Sequence, residues 1–116
     1  MREIKFRAWD DHNKEMISFY ELVNNPEMLR DVFTASDTLG VFAMQFTGLH
    51  DDNDIEIYEG DIVEFMSISV DKPVFVEWND DTCQFQFSDG QPINNDDTYG
   101  IYKRVIGNIY ENPELL

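Results

Sequence analysis

Apolar and polar positions alternate with a period of two along most of this chain. Near the start, Ile4, Phe6 and Ala8 alternate with Glu3, Lys5, Arg7 and Trp9, the pattern of a strand with one buried face and one polar face. Residues 10–14 are polar and predict a turn, and residues 16–22 resume the alternation, so an N-terminal hairpin is expected. The same reading predicts strands over 41–49, 55–58, 61–69, 74–78, 83–87 and 99–110, the last broken or bulged at Gly107. Asp51, Asp52, Asn53 and Asp54 form an acidic turn between two of these strands, and Asn79 to Thr82 have the chemistry of a four-residue type I turn. Lys72-Pro73 marks a break, because proline disfavours helix before it and cannot donate to a ladder.

Only one segment has a helical period. Asn25 is suited to cap a helix, Pro26 to open it, and Glu27 to face its positive end. Met28, Leu29, Val32 and Phe33 then fall on one face, which predicts a short helix over 26–33, with loop from 34 to 40. The fold class expected is therefore mainly β: an antiparallel small barrel or sandwich with one short helix. Its core should contain Phe6, Met16, Phe46, Ile62, Val76, Trp78, Phe85 and Ile109. Gly60, between Tyr58-Glu59 and the β-branched run Asp61-Ile62-Val63, should take a positive φ.

Three separated motifs carry a family resemblance. They are Met1-Arg2-Glu3-Ile4-Lys5-Phe6-Arg7-Ala8-Trp9-Asp10, then Gln45-Phe46-Thr47-Gly48-Leu49 with Ile57-Tyr58-Glu59-Gly60-Asp61-Ile62-Val63, then Ile106-Gly107-Asn108-Ile109-Tyr110-Glu111-Asn112-Pro113-Glu114-Leu115. In this order they resemble the YopX family of phage and prophage proteins. The resemblance covers both ends and the middle of the chain; residues 16–44 and 66–103 add nothing to it. It implies a β-rich fold and a phage or prophage origin, and it brings no established activity. The motif positions singled out as structural are Gly48, Gly60, Asp61, Gly107 and Pro113. Family members often place lysine and glycine in the central turn; here Asp54 stands where glycine is expected, a departure expected either to lengthen the turn or to force a residue into the left-handed region, which aspartate tolerates better than most. The Gly60-Asp61 turn into a β-branched strand also resembles SH3-like small barrels.

Length fits one domain over 1–116, divisible into an N-terminal lobe over 1–44 and a barrel lobe over 45–116. The 42% hydrophobic and 14% aromatic content is that of a packed chain rather than a disordered one. A lone cysteine, Cys83, excludes an intramolecular disulfide framework and suits a reducing compartment. Charged residues interrupt the N-terminus, and no apolar run approaches the ~20 residues of a membrane helix. The expected location is the cytoplasm of a bacterial host.

Charge changes the functional picture. The formal net charge is −16, and residues 31–102 hold 16 acids against the single base Lys72. Such a field repels nucleic acid and anionic membranes and favours basic partners. Its plain explanation is a solvated surface.

Candidate chemistry is sparse. Starting an EF-hand loop at Asp52 puts Ile57 at its glycine position and Val63 at its glutamate position; starting at Asp51 fails likewise. His12 and His50 lie far apart in predicted turns, short of the ligand count of a zinc site. Cys83 is expected to face inward beside Phe85 and Phe87, as an inert thiol. Nucleophile elbow, phosphate loop and dinucleotide fingerprint are all missing from the sequence. Trp9 and Trp78 could stack on bases, but the one modestly basic patch is Arg2, Lys5 and Arg7, joined by Lys103 and Arg104 if the terminal strands pair, and the aromatics are expected in the core. The expectation is a non-enzymatic protein-binding β module with no cofactor and no metal. Its partner would be an unnamed and basic protein. The alternative is an acidic nucleic-acid mimic that blocks a basic DNA-binding protein.

Overall fold

The computed structural model describes residues 3–66, 72–91, 93 and 102–116. The fold is mainly β, with two antiparallel sheets and one helix longer than two turns among the described residues. The chain divides into two compact units, Met1–Phe46 and Thr47–Leu116.

In the first unit, β1 (Phe6–Asp10) lies between β2 (Glu15–Ile17) and β3 (Val41–His50), antiparallel to both. Ala8 faces Ile17 on one side and Ala43 on the other. The expected helix is present as α2 (Pro26–Thr34), with the Asn25 side chain accepting from the Met28 N–H. Two further helices correct the reading by alternation. The stretch expected as strand over 16–22 ends at Ile17 and turns into α1 (Phe19–Val23), and the expected loop contains α3 (Ser36–Leu39). Capping explains α1: Ser18 accepts from the Glu21 N–H and its hydroxyl donates to the Glu21 carboxylate, an N-cap that starts a helix where a strand was expected. Ala8, Ile17, Leu22 and Val32 form the core of this unit, with Met28, Leu29, Val41 and Ala43 against it.

Trp9 is also buried, at 3% exposure, although alternation assigned it to the polar face. A central strand is covered on both sides, so period two stops reporting inside and outside there. Phe46 is buried as expected, whereas Phe6 and Met16 are half-buried; Phe6 meets the Phe33 ring edge-on at 5.0 Å between centroids.

The second unit takes β3 from Thr47 onward, with β4 (Glu56–Tyr58) beside it, and a sheet of order β7-β6-β5-β8. The strands of that sheet are β5 (Asp61–Met66), β6 (Val74–Asn79), β7 (Gln84–Phe87) and β8 (Tyr102–Asn108). The expected continuations of β5 over 67–69 and of β8 over 99–101 lie outside the described residues. Ile57, Val63, Val74, Val76 and Phe87 make the core, with Leu49, Phe65, Phe85, Ile93 and Val105 packed against it. Ile62 is fully buried, and Ile109 is half-buried. The break expected near Gly107 is a bulge: Ile62 pairs with Gly107 and Val63 with Val105, leaving Ile106 as the extra residue.

Trp78 and Cys83 depart from the expected core. Trp78 shares a face with Val74 and Val76 but lies near the strand end, where it is 43% exposed. Alternation fixes the face of a side chain and says nothing about its depth along the strand. Asn79 pairs with Gln84, so the loop is 80–83 rather than 79–82. Closing it puts Cys83 at φ +53°, outside the ladder and exposed.

Candidate functional site

The first residue of the acidic turn is built into the second unit, while Asn53 and Asp54 are exposed. Asp51 is only 6% exposed. Its Oδ1 accepts from the N–H groups of Asn53 and Ile55, both at 2.9 Å, and its Oδ2 accepts from Val105 at 2.9 Å. Asp52 continues the seam: its carboxylate accepts from the Lys103 N–H, and its own N–H donates to the Lys103 carbonyl. Two adjacent carboxylates thus occupy the outer edge of β8, where a neighbouring strand would otherwise pair. Asp54 adopts φ +62°, so of the two outcomes expected where aspartate replaces glycine, the left-handed residue is the one found.

Gly60, Asp61, Gly107 and the turn before Pro113 come together. The Asp61 carboxylate is buried at 1% exposure and accepts from the Tyr58 N–H at 2.7 Å. Gly60 has φ +87°, as expected; its N–H donates to Val76 and its carbonyl accepts from Ile109. Asp61 pairs with Asn108 and Ile62 with Gly107. At Gly107 a methyl group would lie 2.5 Å from Asn112 Oδ1, so glycine is set there by close approach. Asn108 accepts from the Tyr110 and Glu111 N–H groups, and Pro113 opens a final 3₁₀ turn. Burial, then the charge of Glu59, raises the Tyr110 phenol above its usual range. Gly48 stands apart from this cluster, within β3 at φ +88°.

None of these arrangements is a catalytic constellation. His12 and His50 are exposed, in separate units. Among the described residues no group of three or more His, Cys, Asp or Glu side chains gathers to hold a metal ion. The first unit has an open depression of about 270 Å³ with an apolar floor of Met28, Val32 and Leu39 and carboxylates at Glu27 and Asp31. No helix among the described residues is long and apolar enough to cross a membrane.

The β6–β7 hairpin carries what the sequence reading missed. The Trp78 and Phe85 rings pack edge-to-face at 5.0 Å on one face. On the other, Asn79 donates to Gln86 and Gln86 to Glu77 in a cross-strand ladder. The available signal was the position of Trp78, one residue from the end of a strand that enters a polar turn.

With this geometry in place, comparison with known proteins is decisive at the level of family. The family model described as YopX protein matches residues 5–116. The chain belongs to the YopX family. Among solved structures it is similar to the crystal structure of protein EF1440 from Enterococcus faecalis. The two are 26% identical, with a TM-score of 0.70 over 100% of this chain and 99% of that one. No functionally curated protein matches it. The YopX match spans the acidic turn and the Gly60, Gly107 and Pro113 positions alike, and it names no reaction for them.

Proposed function

We propose that this YopX chain is a phage- or prophage-encoded accessory protein that works in the bacterial cytoplasm by binding a basic protein, without catalysis or cofactor. One observation carries the reading: the distribution of charge. Residues 47–116 hold 16 acids and three bases, a net −13, whereas residues 1–46 hold eight acids and five bases, a net −3. Asp51 and Asp61 are engaged inside the fold, but Asp54, Asp80, Asp81 and Asp89 are exposed. Field lines from a one-signed surface steer a partner of opposite sign.

The test is affinity capture from lysogenic host lysate at graded salt. Retained proteins should be basic, and their retention should fall steeply between low salt and about 0.15 M, where screening acts over about 8 Å. Salt-independent retention would move the interface to apolar residues. Capture restricted to DNA-binding proteins, with release by added duplex DNA, would select the mimic reading instead.

A further inference from the structure

We infer that the open edge of β7, with the Trp78–Phe85 pair beside it, is the docking site for an extended, arginine- or lysine-bearing segment of the partner protein. The inference rests on the protein-binding reading above and assigns it a surface. The sheet β7-β6-β5-β8 has two edges, and they are treated differently. Along β8 the outward N–H groups of Lys103 and Val105 are taken by the Asp52 and Asp51 carboxylates, which closes that edge to another strand. Along β7 the cover reaches only Phe87, whose N–H and carbonyl are taken by Gln91 and Gly90, and among the described residues nothing takes the Phe85 N–H. Phe87 donates to Gln91, so the N–H groups at alternate positions from Phe87 point away from β6. By the alternation of an antiparallel ladder, Phe85 turns its N–H and carbonyl to that same outer edge.

The side chains define the occupant. An extended segment pairing with Phe85 sets one residue directly across from it. A cation at that position lies against the Phe85 ring and reaches the indole of Trp78, a surface on which arginine and lysine are attracted. Residues 73–91 contain Glu77, Asp80, Asp81 and Asp89 and no lysine or arginine, so an acidic segment is repelled and a basic one drawn in. A second copy of this chain would bring like charge to like charge, which disfavours it as the occupant.

The test uses the full chain and a synthetic peptide of alternating arginine and valine, followed by indole fluorescence and by exchange of the Phe85 amide. Expected is saturable binding with a change in Trp78 emission and slowed exchange at Phe85. Affinity should fall about tenfold in Trp78→Ala, the scale of one lost cation–π contact, and recover in Trp78→Phe. The matching glutamate–valine peptide should not bind. Equal affinity in wild type and Trp78→Ala would overturn the site while leaving a basic partner intact. Binding without protection of Phe85 would overturn the strand pairing. Absence of peptide binding, in a protein that still captures basic host proteins at low salt, would overturn the site alone. Saturation of Trp78 by oligo-dT, or self-association abolished by Trp78→Ala, would replace the proposed occupant.

Discussion

Two acidic turns in this chain look alike in sequence and differ in what they do. The turn after β1 uses Asp10, which accepts from the His12 N–H, the Asn13 N–H and the Asn13 side-chain amide at 2.8–3.1 Å. All of its partners lie within three residues, at the surface. The turn after β3 uses Asp51, which makes two similar local bonds and adds a third to Val105, 54 residues away. Both turns satisfy local backbone donors, but only the second ties its unit together and is buried doing so. A carboxylate's weight in a fold is thus set by where its last oxygen points, not by turn chemistry.

The comparison breaks most sharply at Asp51. Asp51→Ala leaves three N–H groups without their acceptor in a buried setting and should cost about 3 kcal/mol or more. Chemical denaturation measures it, and a loss near zero would mean water replaces the carboxylate. Asp51→Asn keeps one oxygen for Asn53 and Ile55 but turns an amide N–H₂ toward the Val105 N–H. Its cost should be about 1–3 kcal/mol, with amide exchange accelerating at Val105 and little at Ile55. Gly60→Ala asks whether the second unit also depends on backbone freedom. Its φ of +87° penalises a Cβ, so the loss should be about 1 kcal/mol or more, visible as a lower melting temperature.

Asp10→Ala should have the smallest effect, confined to the exchange of the 11–14 turn. Acid offers the same test without mutation. The Asn13 backbone N–H, then its side-chain amide, hold the Asp10 carboxyl below its usual 3.8. A carboxyl depressed on folding stabilises fully above the unfolded value. Its contribution fades as pH falls below about 4 toward the folded value, so Asn13 exchange should quicken there.

Much of this architecture was legible as sequence, for physical reasons that also mark the limits. The capped, proline-led helix at Pro26 and the positive φ of Gly60 follow from local chemistry, and local chemistry is what a sequence displays. The Ser18-x-x-Glu21 spacing of a helix start was equally present, but residues 16–22 read as a strand resuming after the polar turn. Trp9 and Trp78 exchanged their expected places because burial depends on which strands flank a position and how far it lies from the sheet's end. The partnership of Asp51 with Val105 has no local signature at all. The candidate docking edge is legible only after pairing assigns β7 to the rim and places Phe85 in the non-bonded register.

The 54-residue reach of Asp51 has a consequence for synthesis on the ribosome. The pairs that β1 makes with β2 and β3 all lie within residues 6–45, so that unit can begin to pack as soon as it emerges. The acidic turn cannot. Until Val105 appears, a carboxylate destined for burial stays in water and the edge of β5 lacks its β8 partner. At about 5–20 residues per second the interval lasts roughly 3–10 seconds. During it the nascent second half is a charged, incompletely paired sheet, and its dense acidity opposes the close approach of another such chain.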